Sequence, residues 1–337
     1  MGDYEKTVTG LTGLVTGLRG GGMGVVTYSP AFTIVPTYEC FNRCDYCNFR
    51  QNPGQGWNLA GEEVRKSLAL LHNQDVCEIL ILSGEVHPRS SDRPAWLTKI
   101  YQTCQVALEM GFLPHTNVGP LSWAEMMALG SVNVSMGLMV EQVTPRWRET
   151  IHRYAPSKDP ELRLNQLRQA GVLRIPFTTG ILVGLGESVG DRHTSLREIS
   201  KIHRQYGHIQ EVIIQPYQPG SGQVSSWAGC SMGELVETIA MARSLLPIDI
   251  AIQVPPNLLM QPQDLKAALR AGARDLGGIG PVDEVNPDYG HMTLAQMAAQ
   301  LSREDFRLEK RLPVYPQYED WLPISMQRAI AQWKQRA

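Results

Sequence analysis

The sequence predicts an α/β fold of the (β/α)8 TIM-type barrel, closed or nearly closed. Three observations carry that expectation. Eight short apolar runs recur along the chain, each followed by a polar turn and a helical pattern. Such alternation gives a parallel sheet with helices outside it, because parallel strands need crossover connections. The eight units occupy about 250 residues, the usual extent of one barrel. Cysteines, rather than a glycine-rich nucleotide fingerprint, follow the first run. A doubly wound open sheet, the alternative architecture, normally carries that fingerprint.

The runs fall at residues 32–38, 78–82, 113–118, 132–140, 175–183, 211–217, 248–254 and 276–282. After the first, Val64, Leu68 and Leu71 recur at helical spacing and mark one buried face. After the sixth, Ser231-Met232-Gly233-Glu234 reads as a capping box. Leu235, Ile239, Ala242 and Leu246 then form the inner stripe of that helix. Residues 1–28 read as a leader, 29–305 as the barrel and 306–337 as an extension packed on it. In the leader, Leu18-Arg19-Gly20-Gly21-Gly22-Met23-Gly24 lacks the Gly-Lys-Ser/Thr ending of a phosphate loop and reads as a turn. The extension holds Pro313, Pro316 and Pro323 and is expected to end in a short helix burying Ile330 and Trp333.

At 337 residues and a formal charge of −2, the chain can bury a large core and offers no basic stripe for nucleic acid. No apolar run of the ~18 residues needed to cross a membrane appears, so a cytoplasmic location is the expectation. Six cysteines are too few for a disulfide scaffold in a chain this large. Cys77 and Cys104 sit among apolar residues and read as core; Cys230, in a Gly/Ser-rich loop, suggests no role.

Cys40, Cys44 and Cys47 are different. They lie within eight residues, just after the first run, on the loop face where such barrels place their chemistry. Structural zinc wants four ligands, and no second pair completes a set. A redox Cys-x-x-Cys leaves Cys40 unused. An iron–sulfur cluster fits better: four thiolates are usual, and three leave one iron open to a small molecule.

Cys-x3-Cys-x2-Cys, with Tyr46 just before the last cysteine, resembles the radical S-adenosylmethionine (SAM) superfamily. The resemblance implies a 4Fe-4S cluster on Cys40, Cys44 and Cys47, SAM chelated to its open iron, and an external one-electron donor. One electron then releases a 5′-deoxyadenosyl radical. Tyr46 would lie near the adenine. Ser83-Gly84-Glu85 stands where members often carry Gly-Gly-Glu, which holds the methionyl ammonium. The stretch Gly180-Ile181-Leu182-Val183-Gly184-Leu185-Gly186-Glu187 resembles G-x-I-x-G-x-x-E, implying adenine contacts at Gly180, Leu182 and Gly184. Glu141 and Arg163 match an acid and an arginine that contact SAM in related members.

Longer stretches narrow the resemblance. Pro114-His115-Thr116-Asn117, Asn133-Val134-Ser135-Met136, Ile175-Pro176-Phe177-Thr178 and Asp275-Leu276-Gly277-Gly278 are among those similar to the ring-closing subunit family of the deazaflavin synthases. The similarity runs from about Tyr28 to Trp321. It implies a ribityl-uracil substrate bearing a hydroxybenzyl group, closure of the central ring, and loss of ammonia. It also implies a separate radical SAM partner that makes the intermediate, since this chain has one cysteine motif. Asn117 and Ser135 are carried over as cofactor contacts. His115, Tyr217 and Asp275 are the candidates for moving protons, with Asn257 as a further pocket residue. Two close alternatives are the hydroxybenzyl-transferring partner and a menaquinone-pathway relative. A non-catalytic iron–sulfur electron carrier is the alternative of another class.

Overall fold

The computed structural model describes residues 23–54, 59, 61–72, 74–223, 227–259, 261–290 and 292–336. Most of the predicted leader, including 18–22 of its glycine-rich stretch, lies outside them. Strands and helices alternate strictly: β1 Gly24–Ile34, α1 Gly61–Ala69, β2 Glu78–Leu82, α2 Arg93–Glu109, β3 Leu113–Asn117, α3 Trp123–Gly130, β4 Ser135–Gly137, α4 Pro160–Val172. The second half continues with β5 Phe177–Val183, α5 Val189–Tyr206, β6 Ile209–Pro216, α6 Met232–Leu245, β7 Ala251–Gln253, α7 Pro262–Ala271, β8 Asp275–Ile279 and α8 Leu294–Ser302. β9 Phe306–Lys310 and α9 Ile324–Arg336 follow. Among the described residues, no helix is long and apolar enough to cross a membrane.

Every named strand pairing is parallel, and β1 joins both β8 and β2, so the barrel is closed. β1 can do this because it is long. Its end, Ala31 to Ile34, pairs with β2; Thr27 to Pro30 pairs with β8; Gly24 to Tyr28 pairs with β9. The first strand therefore starts before the apolar run at 32–38. β9 was not expected from the sequence: its pattern Phe-Arg-Leu-Glu-Lys carries the charges of a solvent-facing edge strand.

Local chemistry sets the helices. Ser231 and Glu234 form the expected capping box, and Leu235, Ile239, Ala242 and Leu246 are buried. Val64, Leu68 and Leu71 are buried as their spacing predicts. Asp159 caps α4 with Pro160 in its first turn, and Gly207 ends α5 at φ 69°, a left-handed turn that favours glycine.

The strands alternate between two environments. Glu78, Leu80 and Leu82 of β2, His115 and Asn117 of β3, and Glu211, Ile213 and Gln215 of β6 face one internal cavity. The extension seals the barrel's N-terminal end. Val314, Tyr318, Leu322, Met326 and Ile330 pack on Leu113 and Val134, with Trp333 partly buried beside them. Cys77 and Cys104 are fully buried, and Cys230, in a loop, is also core: it lies over Gly184, where an added Cβ would stand 2.6 Å from the Cys230 Cβ.

Candidate active site

The cavity has a volume of ≈ 390 Å³ and opens at the C-terminal ends of the strands. Cys40, Cys44 and Cys47 line one wall. Their loop is pinned on several sides by the backbone. Cys40 N–H donates to Gln51 O (3.1 Å), Phe41 N–H to Glu85 O (3.0 Å), Arg43 N–H to Tyr154 O (2.8 Å) and Asp45 N–H to Ile151 O (3.2 Å). Asn42, buried within the motif, donates to the Glu85 carboxylate (3.0 Å) and to Cys40 Sγ (3.7 Å). A loop held this way presents its thiols in a fixed pattern.

All three thiols are free, and the other three cysteines do not border the cavity. Burial pushes Cys44 up to about 12 and raises Cys40. Such thiols become thiolates only when a metal compensates the charge. Among the described residues no three His, Cys, Asp or Glu side chains converge as a single ion requires. Tetrahedral zinc, at about 2.3 Å from each sulfur, needs its thiolates within about 4 Å of one another. An iron–sulfur cluster is held by thiolates, and Cys40, Cys44 and Cys47 are three cysteines of one loop on the cavity wall. The donor set therefore fits a three-thiolate iron–sulfur cluster.

Beside this wall lies a buried charge group. Arg163, 2% exposed, donates from Nε to Ser157 O (3.0 Å) and from Nη1 to Met139 O (2.5 Å), and pairs with Glu85 (3.5 Å) and Glu141 (3.6 Å). Lys158 pairs with Glu141 as well and stands 5.9 Å from the Tyr46 ring. Burial raises the Glu141 carboxyl, but Lys158 and Arg163 together outweigh it, and the net shift is downward. Glu141 has φ 66°, and its backbone amide donates to Gly180 O (3.2 Å). The left-handed turn swings its carboxylate to the cavity. Tyr46 Oη meets His152 Nε2 at 3.2 Å, and burial pushes His152 down to about 3, so this histidine is neutral.

Ser83 explains its own departure from glycine. Its hydroxyl donates to Gly84 O (2.8 Å) and accepts from Trp96 Nε1 (3.0 Å), bracing the turn. Gly84 has no such latitude. A Cβ there would be driven into the Glu39 carbonyl, beside Cys40. Gly84→Ala is expected to cost at least about 1–3 kcal/mol, the usual cost of overpacking. Iron uptake on reconstitution should fall with it; full iron content and an unchanged melting temperature would contradict this.

The structure brings Tyr46, Ser83, Gly84, Glu85, Asn117, Glu141, Arg163, Leu182, His115, Tyr217 and Asn257 to the same cavity as the cysteines. It does not bring Ser135, Gly180, Gly184 or Asp275 to its wall. Gly180 is pressed against the Ile213 carbonyl, so glycine there serves strand packing. Glu187, the last position of that motif, accepts from Gly184 N–H and Leu185 N–H (both 2.9 Å) and closes the turn. Tyr217, 3% exposed, donates to Gln223 (2.5 Å). Asp275 starts β8, at the barrel's opposite end. It accepts from Arg311 Nε (2.6 Å) and Nη2 (2.8 Å), Tyr315 (3.0 Å), Thr27 (2.5 Å) and Gly277 N–H (2.6 Å).

Sequence reasoning did not single out Asn42, His152, Lys158, Glu78, Glu211 or Arg311. Asn42 sits inside the cysteine motif, which was a signal. His152, Lys158 and Glu211 lie in stretches that carry the resemblance but had no role attached to them, and Arg311 carried no signal, since a cation beside a proline-containing turn usually faces solvent.

Comparison with known proteins agrees with this geometry. The model of the Radical SAM superfamily matches residues 34–199. The 7,8-didemethyl-8-hydroxy-5-deazariboflavin synthase of Nostoc sp. (strain PCC 7120) is 56% identical over 312 residues, covering 93% of this chain and 92% of that protein. The synthase of that name from Gloeobacter violaceus is 52% identical over 92% of this chain and 96% of its own. Among solved structures, the FeFe-hydrogenase maturase HydG from Carboxydothermus hydrogenoformans shares the fold at a TM-score of 0.71 and 17% identity, over 93% of this chain and 78% of that one. Methylornithine synthase does so at 0.64 and 17%, over 85% and 84%. Closed barrel, cysteine wall and relatives lead to one conclusion: the chain belongs to the 7,8-didemethyl-8-hydroxy-5-deazariboflavin synthase family of the radical SAM superfamily.

Proposed function

We propose that this enzyme performs the ring-closing half of deazaflavin synthesis. It converts 5-amino-5-(4-hydroxybenzyl)-6-(D-ribitylimino)-5,6-dihydrouracil to 7,8-didemethyl-8-hydroxy-5-deazariboflavin with loss of ammonia. The observation that carries this reading is one continuous cavity lined both by the three thiols and by a polar region around His115, Glu78 and Glu211. A two-part site of that kind suits a cofactor at the mouth and a polar, ring-bearing substrate below it.

Cys40, Cys44 and Cys47 would hold the 4Fe-4S cluster, and Glu85, Glu141 and Arg163 the polar groups of SAM. When bound, these groups supply one-electron cleavage of the sulfonium. The protein's own part is to orient and to exclude water. Arg163 suits a carboxylate, because its planar fork matches two oxygens. Glu85 suits an ammonium. Leu182 and Tyr46, packed with Trp147, Ile151 and Leu185, give an apolar wall for a flat heterocycle. Asn117 offers hydrogen bonds between the two regions, and Tyr217 and Asn257 line the wall beyond it. A separate hydroxybenzyl-transferring subunit would supply the intermediate, and an external protein the electron.

The test is anaerobic reconstitution, then assay with SAM, reductant and the ring-open intermediate. Deazaflavin fluorescence with release of ammonia and 5′-deoxyadenosine is the expected result. SAM cleavage without deazaflavin would overturn ring closure, and no SAM cleavage at all would favour a plain electron carrier.

A further inference from the structure

We propose that His115 is a fixed hydrogen-bond acceptor for the substrate, its Nε2 lone pair turned to the cavity by a relay that runs to the carbonyl of Pro313. The C-terminal extension would then be part of the binding site as well as a plug. The proposal rests on the ring-closure reading for the identity of its ligand, a hydroxyl or ring N–H of a ribityl-uracil.

The relay follows from counting protons. Ser135 Oγ lies 2.6 Å from Pro313 O, which can only accept, so the single serine hydrogen points there. The same oxygen lies 2.7 Å from His115 Nδ1 and has only lone pairs left for it. Nδ1 must therefore carry a hydrogen. The imidazole is 7% exposed, and burial together with the Arg311 guanidinium pushes it down to about 3, which keeps it uncharged. A neutral ring with hydrogen on Nδ1 has a bare lone pair on Nε2.

Among the described residues, His115 has a hydrogen-bond partner at Nδ1 and none at Nε2. Nε2 faces Gly137 of β4, where a Cβ would stand 3.0 Å from it. His115 borders the cavity on the same strand face as Asn117, which ends β3 nearer the cysteine wall. Arg311 is directed to other acceptors: its Nε and Nη2 donate to Asp275, Nη2 also pairs with Glu211, and Nη1 donates to Leu312 O (3.0 Å). Ligand hydroxyl or N–H groups are the donors that fit. Ser135, carried over from the family as a cofactor contact, acts here as a positioning residue.

Two measurements decide it. Histidine 15N spectra of the oxidised, cluster-loaded protein, assigned with His115→Phe, should show His115 with hydrogen on Nδ1 before any substrate is added. Ser135→Ala should alter that signature, and Ser135→Thr should restore it. Binding of the ring-open intermediate, measured without reductant, should weaken about tenfold in His115→Phe, the value of one hydrogen bond worth about 1.4 kcal/mol. His115→Gln, which retains an acceptor near the Nε2 position, should recover most of it. Hydrogen on Nε2 in the resting protein, or unchanged binding in His115→Phe with the fold intact by circular dichroism, overturns the proposal. The tautomer is read without turnover. A wild type that makes no deazaflavin would sink the ring-closure reading, whereas one that does so alongside an indifferent His115→Phe would sink this inference alone.

Discussion

Alanine at any one of Cys40, Cys44 or Cys47 is expected to abolish reductive SAM cleavage while leaving the barrel folded. The loop is held by backbone hydrogen bonds from Cys40, Phe41, Arg43 and Asp45, none of which needs a thiol. Loss of one sulfur therefore changes the ligand set without releasing the loop. Losing an outer-shell partner of a metal commonly costs about 10–100-fold, and losing a ligand from a set of three should exceed that. Iron per chain, visible absorbance and 5′-deoxyadenosine release under oxygen-free conditions are the readouts. Circular dichroism should stay unchanged. Alanine at Cys77 or Cys104, which are buried away from the cavity, should instead cost stability and leave iron binding intact. If all three wall variants retained iron and cleaved SAM, the assignment of the cluster would fail.

The largest effect on stability is expected at Arg311. This one guanidinium serves three buried carboxylates: it is paired with Asp275 and Glu211, and it acts electrostatically on Glu78. It also ties the extension to β6 and β8. Arg311→Met leaves those acids without their cation, and breaking a buried pair from one side costs about 3–5 kcal/mol. The change should appear as a lower urea midpoint and as early proteolysis after residue 305. A variant as stable as the wild type would show that the cluster is not what holds the extension.

The same cluster gives a pH dependence of definite sign. Asp275 accepts five hydrogen bonds, and, although burial opposes it, Arg311 holds its carboxyl below the usual range. Glu211 goes the other way: burial, with Asp275 and Glu78 nearby, pushes it up to about 7 despite Arg311. A carboxyl whose folded value lies above its unfolded one is stabilising in its protonated form. That contribution is complete below about 4.5 and is lost as pH rises through about 7. Glu211→Gln, which keeps the shape without the charge, should flatten the decline in stability between pH 5 and 8, an interval bracketing about 7. An unchanged slope would assign the titration elsewhere.

Much of the molecule was legible before folding. The alternation of apolar runs and helical stripes specified a (β/α)8 barrel because side-chain period and crossover handedness are local and general. The Ser231–Glu234 box marked α6 for the same reason. The cysteine loop was legible because its three thiols fall within eight residues of sequence, although distant backbone at Glu85, Ile151 and Tyr154 is what pins it. The charge group around Arg163 was half legible: the resemblance gave roles to Glu85, Glu141 and Arg163, whereas it gave none to Lys158 or Asn42, which stand in the resembling stretches. β9 and the early start of β1 were missed, since a charged edge strand has no apolar signature.

By itself, then, the sequence determined the architecture and the position of the cysteine wall, carried by periodicity and spacing, and the family, carried by resemblance along most of the chain. Only the tertiary structure decided how far the cavity reaches, that Asp275 belongs to the barrel's sealed end, and which atom of His115 is free. Those depend on Arg311, Pro313 and Tyr315 meeting residues from 36 to 178 positions earlier in the chain. Burial and proton ownership are properties of such meetings. No local pattern encodes them, because the energy of a buried charge or hydrogen is set by whatever the fold brings against it.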